Sequence, residues 1–202
     1  MNESKFIRVV ELTKRGWSGW CIVAAFFIGM FFGMPRMAEA KNITIGLIER
    51  GVTATNVCES IQDGDVITLR TRGGSVSEGH ALVECIRSKD VIVRVVKAQS
   101  AGVFVVLGAK KVCLTDNVNV GTHSPYIMRD DGSIRELSAD QLRESLGSWG
   151  VRLRKQGYSK STVFYLLGIT FLTPPEHMTR FTTETLVAVL GDRYIGTCKD
   201  VL

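Results

Sequence analysis

From Ser100 to Ala109 the chain reads SAGVFVVLGA, a stretch with no charge and, after its opening serine, no polar side chain. Wound as a helix, such a segment is apolar around its whole circumference and has to be covered on every side. The covering layers come from its neighbours. Val91 to Val96 is β-branched apart from Arg94, as a buried parallel strand should be. Beyond the apolar run, Lys111 to Thr115 and Val118 to Thr122 read as two short strands around Asp116-Asn117. A strand, a buried helix and further strands in alternation define an α/β chain.

The same alternation begins earlier. Asn42 to Glu49 alternates apolar and polar residues as a strand does, and Thr53 to Gln62 is a short helix with Val57 and Ile61 four apart. Asp63-Gly64-Asp65 is a turn, Val66 to Thr71 a second strand, and Arg72-Gly73-Gly74 leads into a helix from about Ser75 to Ser88. After residue 125 the composition turns polar. Asp130-Asp131-Gly132 is a turn, and Ser138 with Gln141 makes a capping box at the head of a charged helix. Residues 138–157 are expected to form a projecting arm or an oligomer contact, because so charged a segment packs poorly into a core. Ser159 to Leu167 is a further helix, Pro174-Pro175 breaks the chain, Thr183 caps a helix to Leu190, and Tyr194 to Cys198 closes as a strand.

Residues 1–40 are set apart from this pattern. Lys5, Arg8, Lys14 and Arg15 precede a nearly unbroken apolar run from Trp20 to Met34, and Ala38-Glu39-Ala40 gives an A-x-A cleavage pattern. About fifteen residues rise roughly 22 Å as a helix, short of a hydrocarbon core of roughly 30 Å. That favours a cleaved signal, with residues 41–202 as the folded domain; an uncleaved inner-membrane anchor is the alternative. Either way the domain is expected beyond the membrane, in the periplasm or secreted. Without residues 1–40 the chain carries 20 Lys and Arg against 17 Asp and Glu, too mild an excess to argue for nucleic acid.

Export bears on the cysteines. Cys58, Cys85, Cys113 and Cys198 are an even number in an oxidising compartment. Cys58 and Cys85 fall on consecutive predicted helices and Cys113 and Cys198 on or beside predicted strands, which favours those two among the three possible pairings; buried free thiols are the equal alternative. No C-x-x-C or H-x-x-x-H spacing signals zinc, and no metal or cofactor is expected.

Three segments at strand ends could carry chemistry: Gly73-Gly74, Ser100 and His123. In a parallel sheet the carboxyl ends of strands lie along one edge, where functional groups collect. A serine hydroxyl needs a base within reach and fixed donors for the oxyanion formed when it attacks a carbonyl. Ser100 opens a helix whose first amides, including that of Ala101, are free, and Gly74 has no side chain to keep a second amide away. His123 offers an imidazole, the side chain that titrates near neutrality. Taken singly, each has an ordinary explanation: a serine N-cap, a structural histidine and a tight glycine turn.

Together, LRTRGGSVSEGHALVECIRS, VVKAQSAGVFVVLGAKKVCL and VNVGTHSPY resemble the Clp protease proteolytic subunit family, within the crotonase-like fold that also includes signal peptide peptidases. The resemblance covers Asn42 to Tyr126 well and the remainder loosely. It implies stacked ββα units with a projecting helical arm, Ser100 as nucleophile, His123 as general base, and the amides of Gly74 and Ala101 as the oxyanion hole. It also implies a homo-oligomer acting on extended peptide or unfolded protein. Two departures stand out. Arg72 replaces the proline of the glycine turn, and Thr179, in MTRFTTETL, occupies the position of the triad aspartate. Glu176, His177 or Glu184 could substitute, or a water or carbonyl could hold the ring. Lys97 is a lesser candidate base by analogy with signal peptide peptidases.

The leading expectation is a periplasmic serine hydrolase of the peptidase kind. The alternative is a catalytically silent crotonase-like binding or assembly module, suggested by Thr179. Acyl-CoA chemistry suits an exported chain poorly, because that cofactor is cytoplasmic.

Overall fold

The computed structural model describes residues 40–202, so the expected signal at residues 1–40, Ala40 apart, lies outside the described residues. Strand and helix alternate: β1 (Asn42–Ile45), α1 (Thr53–Ser60), β2 (Val66–Thr71), α2 (Val76–Ser88), β3 (Ile92–Gln99), α3 (Ala101–Gly108) and β4 (Lys111–Thr122). These four strands pair in parallel in sequential order, Asn42 opposite Val66, Val66 opposite Ile92 and Ile92 opposite Lys111. The α/β class and its resemblance-based architecture hold.

Buried residues alternate along β3. Val93 and Val95 are covered, while Ile92 and Arg94 keep part of their surface. This differs from a parallel strand buried on both faces. Strands laid down in sequential order, linked by crossovers of one hand, carry all their helices on one face of the sheet. On that covered face, Ile67, Leu69, Val93, Val95 and Ala98 meet Leu82 and Ile86 of α2 and Val105 and Val106 of α3. Each large aliphatic side chain buried there contributes about 1.5–3 kcal/mol.

Helix α3 is the uniformly apolar segment, with every residue but Phe104 fully buried. It seats close: a Cβ on Gly102 would stand 2.5 Å from Thr71 Cγ2, and one on Gly108 would stand 2.4 Å from Val83 Cγ1. Its last two carbonyls are engaged. Leu107 O accepts from Tyr158 Oη at 2.8 Å and from Arg193 at 2.9 Å, and Gly108 O accepts from Arg87 at 2.8 Å. Two guanidinium groups thereby complement the negative end of the helix dipole. Burial pushes the Tyr158 hydroxyl up to about 12, so it stays a donor.

Strand β4 is continuous where two short strands were expected, yet its halves behave separately. Val95 pairs with Leu114 while Lys97, two residues on, pairs with Asn119, so Thr115–Val118 bulges between them. The first half carries β8 (Tyr194–Thr197) in parallel, and the second carries β7 (Thr179–Arg180) antiparallel.

Two elements went unread in the sequence: the hairpin β5 (Tyr126–Met128) and β6 (Ile134–Glu136), closed by Asp131-Gly132, and β7 itself. Their strands are two or three residues long, too short for an alternating pattern to register. Helix α4 (Ala139–Lys155) carries the Ser138–Gln141 capping box. It packs better than its charge suggested. Asp140, Arg143 and Glu144 of its amino half are exposed, but Trp149 and Leu153 are buried, with Trp149 edge-on to Phe104 and near Phe171. Two apolar side chains at four-residue spacing suffice to dock half of a polar helix.

Helix α5 (Lys160–Phe171) extends a turn beyond its expected end, and α6 (Thr183–Leu190) is capped by Thr182 rather than Thr183. Thr182 accepts from the amide of Thr185, the third helical residue, which Thr183 is too near to reach. Disulfides join Cys58 of α1 to Cys85 of α2, and Cys113 of β4 to Cys198, the first residue of α7 (Cys198–Val201). Glu78 of α2 takes the amides of Ala54 at 2.6 Å and Gly51 at 2.9 Å, which caps α1 from outside and holds that carboxyl below its usual range. No helix among the described residues is long and apolar enough to cross a membrane.

Candidate active site

Strands β2, β3 and β4 end at Thr71, Gln99 and Thr122, and being parallel they deliver the next residues of the chain to one edge of the sheet. Ser100 comes directly after β3. Its amide donates to Gly121 O at 2.9 Å, which ties it to β4 two residues before His123. Ser100 and His123 therefore stand at neighbouring strand ends.

Ser100 has φ 50° and ψ −121°, and it is the sole non-glycine with positive φ among the described residues. That conformation costs a residue with a Cβ about 1–3 kcal/mol. No capping bond offsets the cost. The Ser100 side chain accepts nothing from the first turn of α3, and its hydroxyl has no hydrogen-bond partner among the described residues. In contrast, Ser75, Ser138, Ser159 and Thr182 all cap their helices with their hydroxyls. The ordinary N-cap explanation does not apply to Ser100.

Gly73 and Gly74 bend over it, with φ of 104° and 138°. A Cβ on Gly73 would lie 2.7 Å from Ser100 Cβ and 3.2 Å from the Ala101 amide nitrogen; one on Gly74 would lie 2.2 Å from Ile48 O. The turn is pinned by Ile48 N donating to Gly73 O at 3.0 Å, Ser75 N donating to Ile48 O at 2.9 Å, and Gly73 N donating to Thr71 Oγ1 at 2.9 Å. Around these bonds the amides of Gly74 and Ala101 have no acceptor among the described residues. Arg72, in the place of the proline, is exposed and leaves the turn intact.

His123 is buried and stacks its ring on Tyr126 at 5.4 Å. Its Nδ1 lies 2.8 Å from Ser124 O. A carbonyl can only accept, so Nδ1 carries a proton; in the neutral ring that leaves the lone pair on Nε2, the tautomer a general base requires. Pro125 biases Ser124 to extended backbone, and Ser124 N donates to Thr173 O at 2.8 Å, so the carbonyl is held from both sides.

Thr179 faces Thr122 across β7 and β4, beside His123, and its hydroxyl meets Thr173 Oγ1 at 2.7 Å. Thr122 and Thr170 pair likewise at 2.9 Å. Threonine hydroxyls thus satisfy one another where a carboxylate was missing. Glu176, His177 and Glu184 are exposed and make no hydrogen bond to His123. Lys97 lies within β3, paired with Arg70 and Asn119, before the strand end. A carbonyl was among the expected holders of the ring, but that it belongs to Ser124 was not read in the sequence, nor was the threonine cluster; a main-chain oxygen has no residue signature.

A cleft of about 540 Å³ between α2 and α4, lined in part by Glu84, Arg87, Arg152 and Lys155, contains neither Ser100 nor His123. Among the described residues no three His, Cys, Asp or Glu side chains gather as a metal site.

No protein-family model matches the chain, and no curated protein matches it by sequence. Its structure does have solved counterparts. A serine-to-alanine variant of the 1510-N membrane-bound stomatin-specific protease aligns with TM-score 0.58 and 17% identity, over 80% of each chain. A lysine-to-alanine variant of that protease, in complex with a substrate peptide, aligns at 0.56 and 16% over 81% of this chain and 77% of its own. ClpP1 from Listeria monocytogenes aligns at 0.58 and 15%, over 80% of this chain and 94% of its own. With the parallel sheet, the buried helix and the strand-end geometry already described, these likenesses establish that the chain has the ClpP-like fold.

Proposed function

We propose that this protein is an exported serine hydrolase that cleaves extended peptides, with Ser100 as nucleophile and His123 as base. The observation that carries the reading is the strained, uncapped Ser100: a serine in a conformation costing about 1–3 kcal/mol, with its hydroxyl left unbonded, is explained by a task for that hydroxyl. One solved counterpart is a stomatin-specific protease by name, in one structure bound to a substrate peptide, which supports the substrate class.

In the proposed reaction the Ser100 hydroxyl adds to the scissile carbonyl carbon while His123 Nε2 takes its proton. The oxyanion is held by the amides of Gly74 and Ala101, at the positive end of the α3 dipole. His123 then protonates the leaving amine as the C–N bond breaks. Water adds to the acyl-enzyme by the same route and releases the new carboxylate. The Ser124 carbonyl holds the ring in the required tautomer but, being neutral, stabilises the imidazolium less than an aspartate does. The turnover expected is therefore low for a serine peptidase.

Two disulfides support an oxidising compartment, and the periplasm, reached through residues 1–40, fits that chemistry. Self-association is expected through exposed apolar side chains on and after α5: Phe164, Tyr165 and Leu172. Thr179, with its hydroxyl already satisfied, favours the second reading, a silent binding module.

A fluorophosphonate probe separates the two. Labelling of Ser100 is expected, absent in Ser100→Ala and slowed by about two to four powers of ten in His123→Ala. Folded protein left unlabelled at Ser100 would establish the silent module.

A further inference from the structure

Asp65 is a buried carboxylate, 3% exposed, and no Lys, Arg or His side chain pairs with it among the described residues. Its ligands are main-chain amides. Asp65 Oδ2 accepts from Gln62 N and Oδ1 from Lys41 N, each at 2.8 Å. Lys41 is fixed at its other end too, because its carbonyl accepts from Val66 N at 2.8 Å, in line with Asn42 opposite Val66. The nitrogen of Lys41 is thus held against a buried negative charge. A buried carboxylate without a cation is costly, and a cation delivered to it in good geometry offsets that cost.

Lys41 is also the residue directly after Ala38-Glu39-Ala40. We propose that Asp65 is the receptor for a new amino terminus made by cleavage between Ala40 and Lys41. The inference rests on the export reading above. Hydrolysis by a signal-processing endopeptidase breaks the Ala40–Lys41 amide, with water as co-reactant. Ala40 leaves with a carboxylate, and the Lys41 nitrogen becomes an α-ammonium. The single N–H donor at 2.8 Å from Asp65 Oδ1 becomes a charged group with three. Cleavage converts an amide–carboxylate hydrogen bond into an ion pair at the start of β1, so release from the membrane and locking of the sheet edge are one event.

The test uses the full chain, exported by the cell, and reads the amino-terminal sequence and the thermal midpoint. The natural chain is compared with one carrying an extra alanine after Ala40, whose processed form starts one residue before Lys41, and with Asp65→Asn in both. The expected result is a first residue of Lys41 and a Tm about 5 °C or more above that of the extended form, a gap that Asp65→Asn removes. Should Asp65→Asn fail to fold, the comparison of natural and extended chains still decides. Equal midpoints with Lys41 first would overturn the receptor role while leaving export standing; a first residue elsewhere, or an uncut chain, would overturn the cleavage and with it this inference.

Discussion

The two ends of helix α3 have opposite treatments. At its carboxyl end, the carbonyls of Leu107 and Gly108 are taken up by Tyr158, Arg193 and Arg87, and Arg193 lies over the Tyr158 ring at 4.3 Å. At its amino end, Ala101 N and the Ser100 hydroxyl have no partner among the described residues, and Ser100 is strained. One helix, buried except at Phe104, has polar partners at one end and is left wanting at the other. Stability alone would fill both, since an unmet helix terminus costs free energy. Under the proposed function, the end left open beneath the glycine turn is the place for a visiting acceptor.

That contrast can be attacked at either end. The largest effect is expected from Gly73→Ala. Its Cβ would press within 2.7 Å of Ser100 Cβ at a φ of 104°, displacing both the hydroxyl and the Ala101 amide. Fluorophosphonate labelling should fall by about a hundredfold or more, the scale of losing one oxyanion donor. Labelling at the natural rate would mean that the turn does not shape the site.

Thr179→Asp sharpens the same end in the other direction. It sets a carboxylate opposite Thr122, beside His123, where a charge can stabilise the imidazolium. Peptidase turnover should rise by about tenfold, and its acid limb should move to higher pH, because a neighbouring negative charge raises a histidine pKa. No change in the pH profile would show that the Ser124 carbonyl cannot be supplanted.

The smallest effect belongs to the closed end. Tyr158→Phe removes one of two donors to Leu107 O and should cost about 1 kcal/mol, or about 2–4 °C in Tm, with labelling of Ser100 unchanged. A loss of labelling equal to that of Gly73→Ala would erase the distinction between the ends.

Much of the fold was legible because it is periodic. The β-branched run at Val91–Val96, the uniformly apolar Val103–Leu107 and the capping box at Ser138 each carry a local signal strong enough to survive packing. The two-residue strand at Thr179 and the docking of Trp149 carry none, since each depends on what lies opposite. The candidate site divides the same way. Gly73, Gly74, Ser100 and His123 could be picked out because glycine turns, helix-opening serines and lone histidines are recognisable residue types. Their partners could not be.

The sequence by itself determined that a covered helix must succeed a parallel strand, with a serine at its head and glycines near. Side-chain polarity and backbone freedom are enough to dictate that much. Only the tertiary structure decided that Ser100 does not cap its helix, that a main-chain carbonyl rather than an acid holds His123, and that Asp65 reaches Lys41 across 24 residues. Those are distances between atoms remote along the chain, and no local preference of φ, ψ or hydrophobicity encodes them.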